Sequence, residues 1–137
     1  MGETKTQITL INSMDFEMYH AGRIKESAIR QVVVNAVVDT GTGPLVINEA
    51  LRARLGLRIM GTSALKVAGG LRENCAIASA VLIYWQERFT SGLPAVLPDE
   101  TETLLGFIAL EYMDLRVCLL EQKVEGAHGA QWVSYIR

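Results

Sequence analysis

A strand of buried character that ends in a carboxylate is the feature that most constrains what this chain can fold into. Residues 29–38 are mainly Val, Ile and Ala, a composition that predicts a β-strand inside a hydrophobic core. The chain then runs directly into Asp-Thr-Gly-Thr-Gly-Pro at residues 39–44, where glycine and proline predict a turn. Because a carboxylate at the end of such a strand lies near the core, its ionisation is costly unless hydrogen bonds stabilise the charge. The sequence therefore predicts that Asp39 is rigidly held and functional.

The residues that follow Asp39 suit this role. Gly41 permits a tight turn that leaves backbone amides close to the carboxylate. Thr40 supplies a hydroxyl that can bind the backbone and lock the loop, and Thr42 supplies a second hydroxyl within reach of Asp39. An alternative is that Asp39 only caps a turn, since Asp-x-Gly is common in turns. The tripeptide arises by chance in roughly a few per cent of chains of this length, so the motif alone does not decide between these interpretations.

A single carboxylate is not sufficient for the hydrolysis of an amide by an activated water. One group must accept a proton from the water while another donates a proton to the carbonyl oxygen. Two aspartates that share one proton can do both, because two like charges a few ångströms apart cannot both ionise. The chain contains one Asp-Thr-Gly motif, so the direct solution is a two-fold homodimer that places Asp39 against Asp39 of a second copy.

Short apolar segments rich in Val and Ile, separated by glycine, proline and polar residues, predict a mostly β fold. Two short helices are predicted, one over residues 48–55 with Asn48 as its N-cap and Gly56 as its stop, and one over residues 107–113. Residues 13–27 show no clear periodicity, and a hairpin or a short helix is expected within them. The predicted strands cover residues 5–11, 29–38, 45–47, 57–67, 74–85, 93–97, 115–120 and 131–136. These seven or eight strands predict a barrel-like or sandwich-like β domain.

The composition is that of one globular domain of 137 residues, half of them apolar, with 20% charged residues and a net charge of −2. No basic stripe is present, so no nucleic-acid partner is expected. The longest apolar stretch, residues 76–85, is too short to span a membrane, and the N-terminal segment lacks the apolar core of a signal peptide. We therefore expect a cytoplasmic protein without a membrane partner, in which Cys75 and Cys118 remain reduced.

The sequence predicts neither a metal site nor a cofactor. His20, His128 and the two cysteines are too isolated to indicate metal ligands, and the cysteines are better explained as small apolar residues. No serine or cysteine occupies a recognisable nucleophile motif. Residues 68–70 are too short for a phosphate-binding loop and lack a following lysine, so they predict a hairpin tip.

Two groups of motifs flank this tip. Before it stand Val-Val-Asp-Thr-Gly-Thr-Gly at 37–43, Leu-Val-Ile at 45–47 and Leu-Gly-Leu at 55–57, and after it stands Leu-Leu-Gly-Phe-Ile-Ala-Leu at 104–110. Together they resemble the retropepsin-like aspartic proteases, in particular their small single-domain bacterial and archaeal members, and the similarity extends over residues 5–120. Residues 104–110 resemble the second signature of that family, in which two apolar residues and a glycine open a helix.

This resemblance implies an all-β acid-protease fold, closed like a barrel and functional as a homodimer, with residues 1–137 as a single domain. Asp39, Thr40 and Gly41 would be the catalytic residues, with Thr40 locking the two active-site loops across the dimer. The remaining implied residues fall into two groups. The active-site loop and the flap over the substrate would be formed by Thr42, Val67, Ala68, Gly69 and Gly70, and the supporting loop behind them by Leu104, Leu105 and Gly106.

Three departures from the family pattern are present. Gly43-Pro44 makes a tighter and stiffer turn than expected, and Cys118 stands where relatives often have a second aspartate. The tail, residues 121–137, has no counterpart; it is expected to supply a dimer-interface strand through residues 131–136, with Trp132 at the interface.

The implied activity is that of an aspartic endopeptidase, whose partners are a second copy of the chain and a peptide or protein substrate. An apolar cleft would favour extended peptides with apolar residues near the cut, bound by strand pairing. Two alternatives stay open: a dimeric peptide-binding module without catalysis, and a small β-barrel ligand binder in which Asp39 only caps a turn.

Overall fold

The computed structural model describes residues 3–67, 70–98 and 101–134. Within these ranges the chain forms eleven strands, three α-helices and a 3₁₀ turn over Glu26–Ala28. The helices are α1 (Ser13–His20), α2 (Glu49–Leu55) and α3 (Phe107–Tyr112). The strands are β1 (Lys5–Asn12), β2 (Gln31–Val38), β3 (Val46–Asn48), β4 (Ile59–Val67), β5 (Gly70–Ala78), β6 (Val81–Trp85), β7 (Arg88–Gly92), β8 (Ala95–Leu97), β9 (Leu104–Leu105), β10 (Leu115–Cys118) and β11 (Lys123–Gly126).

Nine of these strands form one sheet in the order β4-β5-β8-β3-β9-β2-β1-β6-β7, which curls into a half barrel. The short strand β9 lies between β2 and β3. It runs parallel to β2, with Leu105 beside Val38, and antiparallel to β3, with Leu104 beside Val46. Because Asp39 follows β2 and Gly106 follows β9, the parallel pairing brings these two residues to the same edge of the sheet. The mostly β prediction is confirmed.

The hydrophobic core lies inside the curl of this sheet. In β1 and β2 the apolar residues that alternate with polar ones point inward, so that Ile8, Leu10, Val32 and Ala36 are buried. The helices α2 and α3 close the core with Leu55 and Leu110. A second, smaller cluster joins the β4–β5 hairpin to β3, β8 and β9; it contains Val46, Leu65, Cys75, Ala95 and Leu97, with Ile77 and Leu104 packed against it.

The helix α2 begins and ends where the sequence predicts. The Asn48 side chain accepts a hydrogen bond from the Leu51 amide at 2.8 Å, and Gly56 has a left-handed φ of 67°. A Cβ atom at residue 56 would also collide with the guanidinium of Arg30, which packs over the glycine. The left-handed backbone favours glycine here, and a side chain at residue 56 would also displace the Arg30 guanidinium.

The predicted single strand over residues 74–85 is wrong, because it is two strands separated by Ser79 and Ala80. Ser79 binds the backbone of Arg58 instead of continuing the strand. Its amide donates to the Arg58 carbonyl at 2.7 Å, and its hydroxyl accepts a hydrogen bond from the Arg58 amide at 3.0 Å. The strand β7 was not predicted at all. It pairs with β6 around a turn at Gln86, which has a φ of 51°. The sequence does not predict this turn because it contains neither glycine nor asparagine.

The helix α1 occupies part of the irregular segment 13–27, where a hairpin or a short helix was expected. This helix has no stripe of apolar residues at helical spacing, and its one buried residue is the charged Asp15. The Asp15 carboxylate accepts three hydrogen bonds from Arg30: from Nε at 2.8 Å, from Nη2 at 3.0 Å and from the backbone amide at 3.0 Å. These bonds hold the pKa of Asp15 below its usual value, although burial opposes them.

The tail folds back on its own protomer. Its strand β11 was not predicted, and the predicted strand over 131–136 is absent from residues 131–134, where Gln131 forms one isolated bridge with His128. Residues 135–137 lie outside the described part. The tail pairs β11 with β10, and the side chain of Trp132 donates to the Tyr112 carbonyl at 3.1 Å and packs edge-on against Phe89.

Three side chains, Arg88, Asp114 and His128, fix this tail; we call them the tail clamp. The buried Arg88 guanidinium donates to the carbonyls of Met113 and Asp114, and to Gly129 and Gln131 of the tail. The buried Asp114 carboxylate lies 2.8 Å from His128 Nδ1. Burial raises the pKa of Asp114, but the hydrogen bonds with His128 and the Val133 amide outweigh burial, so this pKa lies below its usual value.

None of the helices in the described ranges is long and apolar enough to cross a lipid bilayer.

Replacing Asp15 tests the charged anchor of α1. At pH 7 we expect Asp15→Asn to lower the free energy of unfolding by about 2 kcal/mol, because Arg30 loses a charged acceptor but stays half exposed to water. Since the pKa of Asp15 is depressed in the folded state, its stabilising effect is complete above the unfolded pKa of about 3.9 and is lost as the pH falls through the folded pKa. Urea unfolding at pH 7, 5 and 3 measures this effect.

The matched control is Glu26→Gln, which alters an exposed carboxylate bound to Tyr19 in the same region and should change stability little at any pH. A difference between the wild type and Asp15→Asn that is as large at pH 3 as at pH 7 would show that the charge of Asp15 is not what stabilises α1.

Candidate active site

Asp39 lies in the loop that leaves the carboxyl end of β2, and its side chain is fixed by its own loop. The Gly41 amide donates to Asp39 Oδ1 at 2.9 Å, and the Thr42 hydroxyl donates to Asp39 Oδ2 at 2.8 Å. Thr42 is buried, whereas Asp39 is half-buried and Gly41 is exposed. Each carboxylate oxygen thus accepts one hydrogen bond from the loop and retains lone-pair capacity for an outside donor.

The loop backbone is held in place by its neighbours. The Asp39 amide donates to the Leu105 carbonyl at 3.0 Å, and the Thr42 amide donates to the Asp39 carbonyl at 3.2 Å. The first bond extends the pairing of β2 with β9 by one residue, so Asp39 is still anchored to the sheet. The carbonyl of Leu105 therefore anchors the loop backbone to β9, while the supporting role of Leu104 and Leu105 stays a prediction.

Gly106 makes the closest approach to this loop. A Cβ atom at residue 106 would lie no more than 2.5 Å from the carbonyl oxygens of Thr42, Gly43 and Pro44. Two of these oxygens accept hydrogen bonds from the first amides of α3: Phe107 donates to Thr42 at 2.7 Å and Ile108 donates to Gly43 at 3.2 Å. The start of α3 is therefore capped by the loop, and only glycine can bring the two backbones this close.

Thr40 points away from these contacts. It is exposed, and its hydroxyl forms no hydrogen bond within the part of the chain that the structure describes. It lines a groove of about 570 Å³ together with apolar residues of α3, β10 and the turn after β10. The sequence predicts one strand over residues 115–120, in which the consecutive leucines 119 and 120 would face opposite sides. In the structure the strand ends at Cys118 and both leucines are exposed.

The predicted flap is an antiparallel hairpin of β4 and β5 whose last described pair is Val67 with Gly70. Gly70 has a φ of 123°, a conformation that L side chains rarely adopt. Ala68 and Gly69, two of the three residues of the predicted tip 68–70, lie outside the described residues, as do the side-chain surroundings of Val67. The root of the hairpin packs in the smaller hydrophobic cluster with Val46 of β3, the strand that follows the Asp39 loop.

The structure thus joins Asp39 to Gly41 and Thr42 by hydrogen bonds, packs Gly106 against the backbone of residues 42–44, and leaves Thr40 at the surface. It contains no group of three or more His, Cys, Asp or Glu side chains placed to hold a metal ion within residues 3–67, 70–98 and 101–134.

The half-barrel sheet, the Asp-Thr-Gly loop and the crossing behind it define a retropepsin-like fold. EIAV protease, solved in complex with the inhibitor HBY-793, shares this fold with a TM-score of 0.52 and 24% sequence identity, covering 80% of this chain and 86% of that one. The retroviral protease-like domain of Ddi1 from Leishmania major does so with a TM-score of 0.55 and 16% identity, covering 90% of this chain and 87% of that one. No protein-family model and no curated protein sequence matches the chain. The predicted fold class is confirmed; at these identities the likeness shows the fold alone.

The contact at Gly106 can be tested by adding one methyl group. We expect Gly106→Ala to lower the free energy of unfolding by about 3 kcal/mol, because its Cβ would collide with backbone rather than with a movable side chain. Gly92→Ala is the matched control: residue 92 is also in the sheet, but an added Cβ there meets nothing within 4 Å, so stability should change by less than about 0.5 kcal/mol. Equal denaturation midpoints for the two variants would contradict the close packing of the loop.

Proposed function

We propose that this protein is an aspartic endopeptidase that acts as a homodimer, with one Asp39 from each copy. The observation that carries this proposal is the fixed Asp39 carboxylate, whose two oxygens are oriented by Gly41 and Thr42 in a retropepsin-like fold. A turn-capping aspartate needs one such bond; bonds to both oxygens and the glycine packed behind the loop suit a group held for chemistry.

In the proposed reaction a water molecule lies between the two Asp39 side chains, one of them charged and the other protonated. The charged carboxylate takes a proton from the water, whose oxygen attacks the peptide carbonyl, while the protonated carboxyl donates its proton to the carbonyl oxygen. Collapse of the tetrahedral intermediate breaks the C–N bond: the carboxyl that took the water proton passes it to the leaving amine, and the other carboxylate recovers its proton from the hydroxyl formed on the carbonyl oxygen. This reaction requires neither a metal nor a cofactor.

Thr40, Gly41 and Thr42 would support the dyad in different ways. In this proposal Gly41 and Thr42 position the carboxylate within one copy. Thr40, which is exposed, would contact the loop of the second copy. The absence of a partner for the Thr40 hydroxyl within the described residues supports this role.

The substrate would be an extended peptide held under the β4–β5 hairpin, with residues 67–70 as the flap. Partly buried Leu104 and Ile77, packed on the cluster that joins the hairpin to β3, β8 and β9, favour apolar side chains near the cut. We propose further that residues 1–137 act as one domain and that the protein works in the cytoplasm, where Cys75 and Cys118, which form no disulfide within the described residues, would remain reduced.

The deciding test is cleavage of a diverse peptide library by the wild type and by Asp39→Asn, from acidic to neutral pH. We expect the substitution to reduce kcat/KM at least about 1,000-fold, because it removes the group that transfers protons. The matched control is Glu17→Gln, which neutralises an exposed carboxylate on α1 and should leave cleavage unchanged. Cleavage that survives in Asp39→Asn would overturn the mechanism. Peptide binding without cleavage by the wild type would indicate a binding module instead.

Thr42 gives a finer test of the positioning of Asp39. Thr42→Val keeps the buried shape but leaves Asp39 Oδ2 without its donor, so we expect kcat to fall about 10-fold, as for one lost hydrogen bond to a charged group, with KM unchanged. Thr42→Ser retains the hydroxyl and should restore most of kcat. If the serine variant were as impaired as the valine variant, the methyl group rather than the hydrogen bond would be responsible.

A further inference from the structure

We propose that the second copy docks against the groove beside Thr40, and that Leu119 and Leu120 at the tip of the β10–β11 hairpin are the apolar anchors of the dimer. This inference rests on the proposed function for the requirement of a dimer, and it identifies the surface that forms it. In this dimer we expect the tail of each copy to form the β10–β11 hairpin with its own chain.

The first observation is the exposure of the two leucines. Leu119 is 63% exposed and Leu120 is 97% exposed, side by side in the turn between β10 and β11. Turns of this kind are normally built from small and polar residues, which tolerate water. Two consecutive leucines at a hairpin tip are therefore typical of a surface that another protein covers.

The second observation is the place of this tip in the molecule. Thr40 and Leu119 line the same groove of about 570 Å³, whose floor is formed by Leu110, Leu115 and Val117. A partner seated in this groove contacts the active-site loop directly. This is the position that the second copy must take if its Asp39 is to approach the first.

The third observation is self-complementarity. A two-fold dimer uses the same patch on both copies, so this patch must hold both the projecting group and the cavity that receives it. The surface around Thr40 has both, since the groove is lined by apolar side chains that include Leu119, and the next residue, Leu120, is almost fully exposed. The groove rim also carries one charge of each sign, Glu111 and Arg116, so two copies do not meet with like charges alone.

The hairpin is already rigid in the single chain. Four residue pairs join β10 to β11, from Leu115 beside Gly126 to Cys118 beside Lys123, and Arg116 forms an ion pair with Glu125 across the ladder. The tail clamp holds the residues that follow, through the bonds of Arg88 to Gly129 and Gln131. Since the hairpin is formed before association, little conformational entropy is lost when the second copy binds.

A second exposed apolar patch lies too far from Asp39 to form this dimer contact. Met14, Met60 and Leu93 surround a cavity at the opposite end of the sheet, next to Arg30. Arg30 precedes β2 and Asp39 follows it, and a strand of eight residues spans about 26 Å. A dimer formed through that patch would hold the two Asp39 side chains far apart.

The test compares two exposed apolar residues at the two ends of the molecule. Sedimentation equilibrium over a range of concentrations gives the dimer Kd of the wild type, Leu120→Asp and Met60→Asp. We expect Leu120→Asp to raise Kd at least about 100-fold, because each symmetric interface contains the substitution twice, and to retain the circular dichroism spectrum of a folded chain. Met60→Asp should leave Kd unchanged. Cleavage by Leu120→Asp should be lost at low concentration and return at high concentration.

Other outcomes separate this proposal from the proposed function. A wild-type dimer that Leu120→Asp weakens, with no cleavage by either protein, would support the docking surface and overturn the protease. Cleavage that depends on Asp39, by a dimer that Leu120→Asp does not weaken, would overturn the docking surface and leave the protease. A wild-type chain that stays monomeric at every concentration would overturn the docking surface.

Discussion

The contact between Gly106 and the carbonyl oxygens of the active-site loop is the constraint on which the rest of the site depends. Because residue 106 has no side chain, the start of α3 can lie directly against the loop and use its carbonyls as caps. The same approach sets the loop path, and the loop path in turn sets the positions of the Gly41 amide and the Thr42 hydroxyl. The orientation of the Asp39 carboxylate is therefore determined by a backbone contact that is distant in sequence, between residues 42–44 and 106.

The parts of the fold that the sequence predicted are those whose signals are local. Asn48 and Gly56 mark the ends of α2, and glycine and proline mark the turn after β2; each signal lies within a few residues of the structure it determines. The two strands that were missed, β7 and β11, share one cause. The turns that create β7 and β11 contain Gln86 and Gln122, both with positive φ, and glutamine gives no turn signal in a sequence. The position of Asp15 is settled only by Arg30, which lies fifteen residues away.

The candidate site likewise contains residues that a local sequence signal indicates and a surface that no local signal indicates. Asp39, Gly41 and Thr42 could be selected as candidates from a short motif and the chemistry that it permits, whereas Gly106 was indicated only by the resemblance of residues 104–110 to a family signature. The surface around Thr40 could not, because it depends on how α3 and the β10–β11 hairpin pack beside the loop. Nor could the tail clamp be anticipated, since a buried arginine that binds backbone carbonyls leaves no pattern of opposite charges in the sequence.

The presence of one Asp-Thr-Gly motif per chain has a genetic consequence under the proposed mechanism. A chain that has lost Asp39 but keeps its association surface would still pair with normal chains and would disable them. With equal amounts of both chains and random pairing, only about one quarter of the dimers would contain two intact carboxylates. Such an allele would act as a dominant negative, whereas an allele that prevents association would be recessive.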